Sequence, residues 1–233
     1  MKFLLLIALV FSCNKEPAKS LTQKIAEHKQ ASTGKIPEEI KELFAKATDD
    51  LAKTGIAENA LSEGNKLPNF EILSTSGEKV MINTLYEDKY LVIDFYRGGW
   101  CPYCKLELQT YQELLEDFIQ AGARVIAISP DTVLESKKTK DKNKLSFELY
   151  SDPNNEAAKK LGLAFQVDSK VIEVYKKFGI DLEASQGNSE NTLPMPGTYV
   201  VDKSGKIVFA FLNPDYTMRA EPSEVLEIVK GLK

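Results

Sequence analysis

The sequence predicts an α/β fold built around a parallel βαβ unit, and three observations carry that reading. A continuous apolar run, YLVIDFY, leads through RGGWCPYC into an amphipathic helical segment and then into a second apolar run, RVIAIS. Residues 198–202 and 206–211 flank Lys203-Ser204-Gly205 as a hairpin. A helical pattern over residues 221–232 closes the chain. The 233 residues, 43% of them hydrophobic, suffice for one sizeable core with an appendage. A net charge of −4 leaves no electrostatic footprint for nucleic acid.

Taken in order, the chain begins MKFLLLIALVFSCNKEP. Lys2 is a minimal basic region, and Phe3 to Phe11 is an apolar run. Such a run is too short for a hydrocarbon core that needs about 20 residues, but it suits the core of a signal peptide. Val10-Phe11-Ser12-Cys13 resembles a bacterial lipobox, with Phe11 departing from the usual small or aliphatic residue. The expectation is a signal peptide over residues 1–12, an acylated Cys13 as the mature N-terminus, and a tether over 13–19. The protein would then be exported to a bacterial cell envelope and meet the membrane through its lipid alone. The alternative is a plain secretory signal with an incidental cysteine.

Residues 20–63 form a helical appendage. Leu21, Ile25 and His28 recur at helical spacing, which makes His28 a packed or partly exposed helix residue rather than a ligand. Ile40, Leu43, Phe44, Ala47 and Leu51 make a clearer stripe, opened by Pro37 and stopped by Gly55. One histidine in the chain argues against hydrolytic triads. The main domain, residues 64–233, opens with strands at 69–73 and 79–82 around Ser74-Thr75-Ser76-Gly77. A strand at 90–96, a helix at 101–121 and a strand at 124–129 form the βαβ unit, whose crossover should be right-handed. Lys137, Lys138, Lys140, Lys142 and Lys144 read as a solvated helix face or loop. A third strand lies at 147–150, with helices at 153–161 and 169–178.

Cys101 and Cys104 stand where the first βαβ strand gives way to its helix. With Pro102 at the first helical position, Cys101 falls at the N-cap, amid free N–H groups and the positive end of the helix dipole. That setting favours thiolate and should bring a free-cysteine pKa of about 8.5 toward about 7. Cys104 follows one turn later on the same side, about 5–6 Å away, within the reach of a disulfide. A zinc site wants about four ligands, and only Cys13 and His28 remain, both far away in sequence. A structural disulfide one turn long closes almost no loop and stabilises little. The pattern points to a dithiol that cycles, without metal or cofactor.

The element order matches a thioredoxin-like fold with the N-terminal hairpin and insert of peroxiredoxins. The runs FYRGGWCPYCKLEL, RVIAISPDT, ELYSDPNN, LPMPGTYVVDKSGKIVFAFLNPDY and RAEPSEVL closely resemble the peroxiredoxin-like branch of the alkyl hydroperoxide reductase C / thiol-specific antioxidant family. The resemblance implies a thiol-dependent peroxidase that draws electrons from a thioredoxin-like donor. Against the family pattern P-x-x-x-T/S-x-x-C, counted back from Cys104, Cys101 takes the threonine place and Arg97 the proline place. The helper arginine would fall near Asn155. Thioredoxin features are present instead: Trp100 before Cys101, Asp94 at the place of a buried aspartate, and Pro196 at the place of a cis-proline facing the dithiol. For Asp94 the alternative is a solvated strand residue.

The peroxiredoxin alignment nominates Cys104 as the attacking thiol, whereas thioredoxin logic nominates a more exposed Cys101. Cys101 is the choice for disulfide substrates, and the peroxide case stays open. Two rivals remain: a protein thiol-disulfide reductase with little peroxidase activity, and a non-catalytic binding module at the envelope.

Overall fold

The central strand β3 (Tyr90–Phe95) organises the molecule, lying between parallel β4 (Ala123–Ser129) and antiparallel β8 (Gly197–Val201). Five of its six residues are buried, as expected of a strand covered on both faces. The computed structural model describes residues 19–232, so the expected signal segment and Cys13 lie outside the described residues. Within them, the appendage consists of α1 (Leu21–Ser32), α2 (Glu38–Lys53) and α3 (Ile56–Asn59). Ser20 and Gln23 form a capping box that starts α1. Glu38 and Glu39 favour the start of α2, and Gly55 ends its run in the left-handed conformation.

The hairpin β1 (Glu71–Ser74) and β2 (Lys79–Met81) precedes β3, and α4 (Pro102–Glu113) and α5 (Leu115–Gln120) connect β3 to β4. Next come α6 (Val133–Asn143), β5 (Glu148–Ser151) and α7 (Glu156–Leu161). An insert of β6 (Ala164–Gln166), α8 (Ser169–Lys177), α9 (Leu182–Gln186) and β7 (Thr192–Pro194) leads into β8. The chain closes with β9 (Ile207–Leu212) and α10 (Pro222–Gly231). The main sheet has seven strands in the order β2-β1-β5-β4-β3-β8-β9, and β6 and β7 form a ribbon of their own.

Alternation along the sheet feeds two cores. Leu91, Ile93, Phe95 and Tyr199 pack with Ile126 and Ile128 on one side. On the other, Val92, Val125 and Val200 pack with Cys101, Cys104, Leu108, Tyr111 and Val229. Each fully buried aliphatic side chain contributes roughly 1.5–3 kcal/mol, so the cysteines rest on well-anchored ground. A third cluster, with Val167, Val171, Tyr175 and Leu193, is roofed by Leu43, Phe44 and Ala47 of α2.

Two expectations need correction, and a third is sharpened. The helix expected over residues 101–121 breaks at Leu114 (φ −102°, ψ 3°), and the second piece turns Phe118 onto Tyr111 at 5.8 Å. The lysine-rich stretch is the solvated helix face expected, α6 with its start capped by the Thr132 hydroxyl and Lys144 just past its end. The Met195–Pro196 bond is trans, since no described peptide bond is cis. The Met195 N–H is tied to the Leu163 carbonyl at 2.8 Å, which carries the chain in extended form from the insert ribbon into β8.

Candidate active site

The turn between β3 and α4 is set by two glycines. Gly98 has φ +140°, and a Cβ there would stand 2.5 Å from the Trp100 indole nitrogen. A Cβ on Gly99 would meet the Thr139 hydroxyl at 1.9 Å. The Gly99 N–H donates to Asp131 at 2.8 Å, pinning the turn to the loop after β4. Burial is the main reason that the Asp131 carboxyl rises to about 7. The turn delivers Cys101 to the N-cap of α4 with Pro102 inside the first turn, as the sequence predicts.

Both thiols are free and neither is open to solvent: Cys101 is 1% exposed and Cys104 0%. The greater exposure expected for Cys101 is absent, because it sits in a core cluster with Trp100 and Tyr103 packed against it. Burial pushes the Cys101 thiol up, but the hydrogen bond from Cys104 and the charges of Arg97 and Arg219 bring it down to about 6. Cys104 moves the other way, raised first by burial and then by its bond to Cys101. Two guanidinium groups thus add to the helix start in lowering the Cys101 pKa.

Arg97 is buried and ringed by π faces, with its guanidinium carbon 4.3 Å from the Tyr216 centroid, 5.0 Å from Trp100 and 5.7 Å from Tyr175. It donates to the Tyr175 hydroxyl. Arg219 reaches the site from the loop before α10. It donates to the Cys104 sulfur at 3.3 Å, to Glu107 at 2.7 Å and to the Tyr216 carbonyl. The Arg219 and Glu107 side chains are 3% and 1% exposed. Burial raises Glu107 to about 7 against the pull of Arg219.

Asp94 is buried on β3, and neither carboxylate oxygen has a hydrogen-bond partner. Burial, with the nearby Glu107 charge, raises its pKa well above the carboxylate range. Pro196 lines a cavity of about 640 Å³ between α2 and α8, whose floor includes Arg97 and Tyr216. Its trans bond and the buried Met195 remove the substrate-docking backbone that a cis-proline would have offered.

Cys101, Cys104, Asp94, Arg97 and Trp100 converge, therefore, while Pro196 stands at the edge. Asn155, at the place of the absent helper arginine, is buried and bonds Thr192. Sequence reasoning missed Arg219, Glu107, Tyr175 and Tyr216. Glu107 had a usable signal, three residues after Cys104 and so on its helix face. The other three come from remote segments. Among the described residues, no group of three or more His, Cys, Asp or Glu could hold a metal ion.

A dithiol at the N-terminus of the first βαβ helix, beside a central strand flanked by parallel and antiparallel neighbours, defines a thioredoxin-like redox fold. The AhpC/TSA family matches residues 64–210, and the chain belongs to that family. Peroxiredoxin Q, chloroplastic, of Oryza sativa subsp. japonica is 29% identical over 172 residues, covering 74% of this chain and 68% of that protein. Peroxiredoxin Bcp of Bacillus subtilis (strain 168) is 29% identical over 145 residues, 62% of this chain and 81% of that one. Among solved structures, peroxidoxin BcpB from Mycobacterium tuberculosis superposes with TM-score 0.59 at 18% identity, covering 74% of this chain and 99% of that one. The appendage, Tyr216 and Arg219 lie outside the span matched to the family.

Proposed function

We propose that this protein is a thiol-dependent peroxidase in which Cys101 attacks and Cys104 resolves. The observation that carries the assignment is the opposite displacement of the two thiols, with Cys101 at about 6 beside Arg97 and Arg219. The Cys101 thiolate attacks the terminal oxygen of a hydroperoxide. The O–O bond breaks, the departing alkoxide takes a proton and leaves as an alcohol, and Cys101 becomes a sulfenic acid. Cys104 then attacks the Cys101 sulfur. An S–S bond forms, the S–O bond breaks, and the Cys104 proton leaves with the hydroxyl as water. Arg219, 3.3 Å from the Cys104 sulfur, favours the thiolate as it forms. A thioredoxin-like donor returns two electrons and two protons.

A buried carboxyl beside a dithiol can exchange a proton with the resolving thiol. Burial makes the Asp94 carboxyl hold its proton more tightly than an exposed one, which suits it to return a proton to Cys104 when the disulfide is reduced. Asp94→Asn should therefore slow reduction while leaving oxidation nearly unchanged.

The peroxidase assignment is tested with a peroxide pulse and a sulfenic-acid probe on single mutants. Cys104→Ser should label on Cys101 and stop after one turnover, whereas Cys101→Ser should neither label nor turn over. Labelling of Cys104 in Cys101→Ser would reverse the roles. Export as a lipoprotein belongs to the same proposal and rests on the lipobox-like Val10-Phe11-Ser12-Cys13. Mass spectrometry should find acyl chains on Cys13, and an unmodified N-terminus elsewhere would reduce this to secretion.

A further inference from the structure

The appendage packs against aromatic side chains that surround the reactive centre. Tyr103, Tyr175 and Tyr216 each lie near enough for the Cys101 charge to raise their hydroxyl pKa, after burial itself. The appendage continues this aromatic layer outward. His28 of α1 meets Tyr103 edge-on at 5.2 Å, Tyr103 meets Tyr216 at 5.7 Å, and Phe44 of α2 meets Tyr175 at 5.9 Å.

Polar contacts latch α1 in place. The Glu221 carboxylate accepts from the Leu21 N–H at 2.9 Å and from the Thr22 N–H at 3.1 Å. Lys29 donates to the Thr217 hydroxyl at 2.7 Å. The two latches tie α1 to Thr217 and Glu221, on either side of Arg219.

Two kinds of oxidant place different demands on this cover. Attack on a protein disulfide passes through a mixed disulfide, in which the partner's Cα stands about 4.4–6.8 Å from that of Cys101. A second backbone cannot come so close to a cysteine that is 1% exposed in a core cluster packed by Trp100 and Tyr103, with Tyr103 itself backed by His28 and Tyr216. A hydroperoxide needs to bring only two oxygens to the sulfur. The cavity between α2 and α8 is lined by Arg97 and Tyr216, both near enough to Cys101 to feel its charge, and so brings a small molecule to the neighbours of the sulfur.

The geometry assigns α1 and α2 the selection of oxidant: with the appendage seated, the dithiol meets small peroxides and is closed to protein disulfides. The peroxide half rests on the peroxidase reading. In the excluded reaction Cys101 and Cys104 would together give two electrons and two protons to the partner disulfide, which would leave as two thiols. The dithiol is chemically fit for that exchange, so access decides. A protein donor faces the same obstacle, and recycling requires the appendage to unseat.

Glu221→Ala and Lys29→Ala, made separately in the full chain, weaken the cover without touching the dithiol. Each reduced protein is mixed with hydrogen peroxide or with insulin, whose disulfides serve as the protein probe. Glu221→Ala should react with insulin at least tenfold faster than wild type, and Lys29→Ala severalfold faster. Glu221→Gln, which keeps an acceptor oxygen, should stay near wild type. Hydrogen peroxide rates should agree within twofold throughout. An unchanged insulin rate in both alanine variants, or insulin and peroxide rates that rise together, overturns the selecting role. A sluggish wild-type peroxide reaction with the insulin contrast intact would sink the peroxidase reading and leave the selection standing.

Discussion

Two buried guanidinium groups act on the dithiol, and the partners that hold them differ. Around Cys101, Arg97 is held by the rings of Trp100, Tyr175 and Tyr216, and it makes no ion pair with a carboxylate among the described residues. Around Cys104, Arg219 is already paired with Glu107, and Asp94 lies nearby. π faces hold a cation without neutralising it, whereas a buried carboxylate consumes most of its field. Arg97 is thus left to stabilise a thiolate, while Arg219 is shared. Two similar cations, differently partnered, help make one thiol an anion and leave the other protonated.

Breaking the Cys101 side should give the largest effect. Arg97→Met removes the uncompensated charge, and the Cys101 pKa should rise from about 6 by one to two units. At pH 6, where half of the wild-type thiol is ionised, that is about a 5- to 50-fold loss of thiolate. The check is the pH dependence of Cys101 alkylation. In the wild type the rate should climb through about pH 6 and level off above about 7, because only the thiolate reacts. An unmoved midpoint in Arg97→Met would mean that Arg219 and the hydrogen bond from Cys104 suffice.

The Cys104 side sharpens the comparison with a smaller change. Glu107→Gln leaves Arg219 its hydrogen bond but frees its charge for Cys104. Alkylation of Cys104, with Cys101 replaced by Ser in the same chain, should accelerate about tenfold near neutral pH, roughly one pKa unit. A slower reaction would show that Glu107 positions Arg219 more than it screens it. Smallest is Asp131→Asn, which weakens the hydrogen bond at Gly99 without touching either sulfur. It should cost about 1 kcal/mol in urea unfolding and shift the Cys101 midpoint little. A large shift would mean that the turn, rather than the cations, sets the thiolate.

The sequence made the scaffold legible where its signals are local. The strands at β3 and β4, the hairpin of β8 and β9 and the Cys101 cap each follow from neighbouring residues. The ribbon of β6 and β7 escaped because each strand has only three residues, too few to show a period. The break at Leu114 escaped because no glycine or proline marks it. In the site, Asp94, Arg97, Trp100, Cys101 and Cys104 fall within one short stretch, and their convergence could be read directly. Arg219 meets Cys104 across 115 positions, and Tyr175 meets Arg97 across 78. No local pattern encodes such contacts.

Trp100 is the only tryptophan in the chain, and it stands next to Cys101, 5.0 Å from Arg97 and 5.3 Å from Tyr175. Its indole emission therefore originates within the reacting centre and nowhere else. Conversion of an adjacent thiolate to a disulfide changes the charge and the quencher beside that fluorophore. The protein carries a built-in optical gauge of its own oxidation state, readable without a dye.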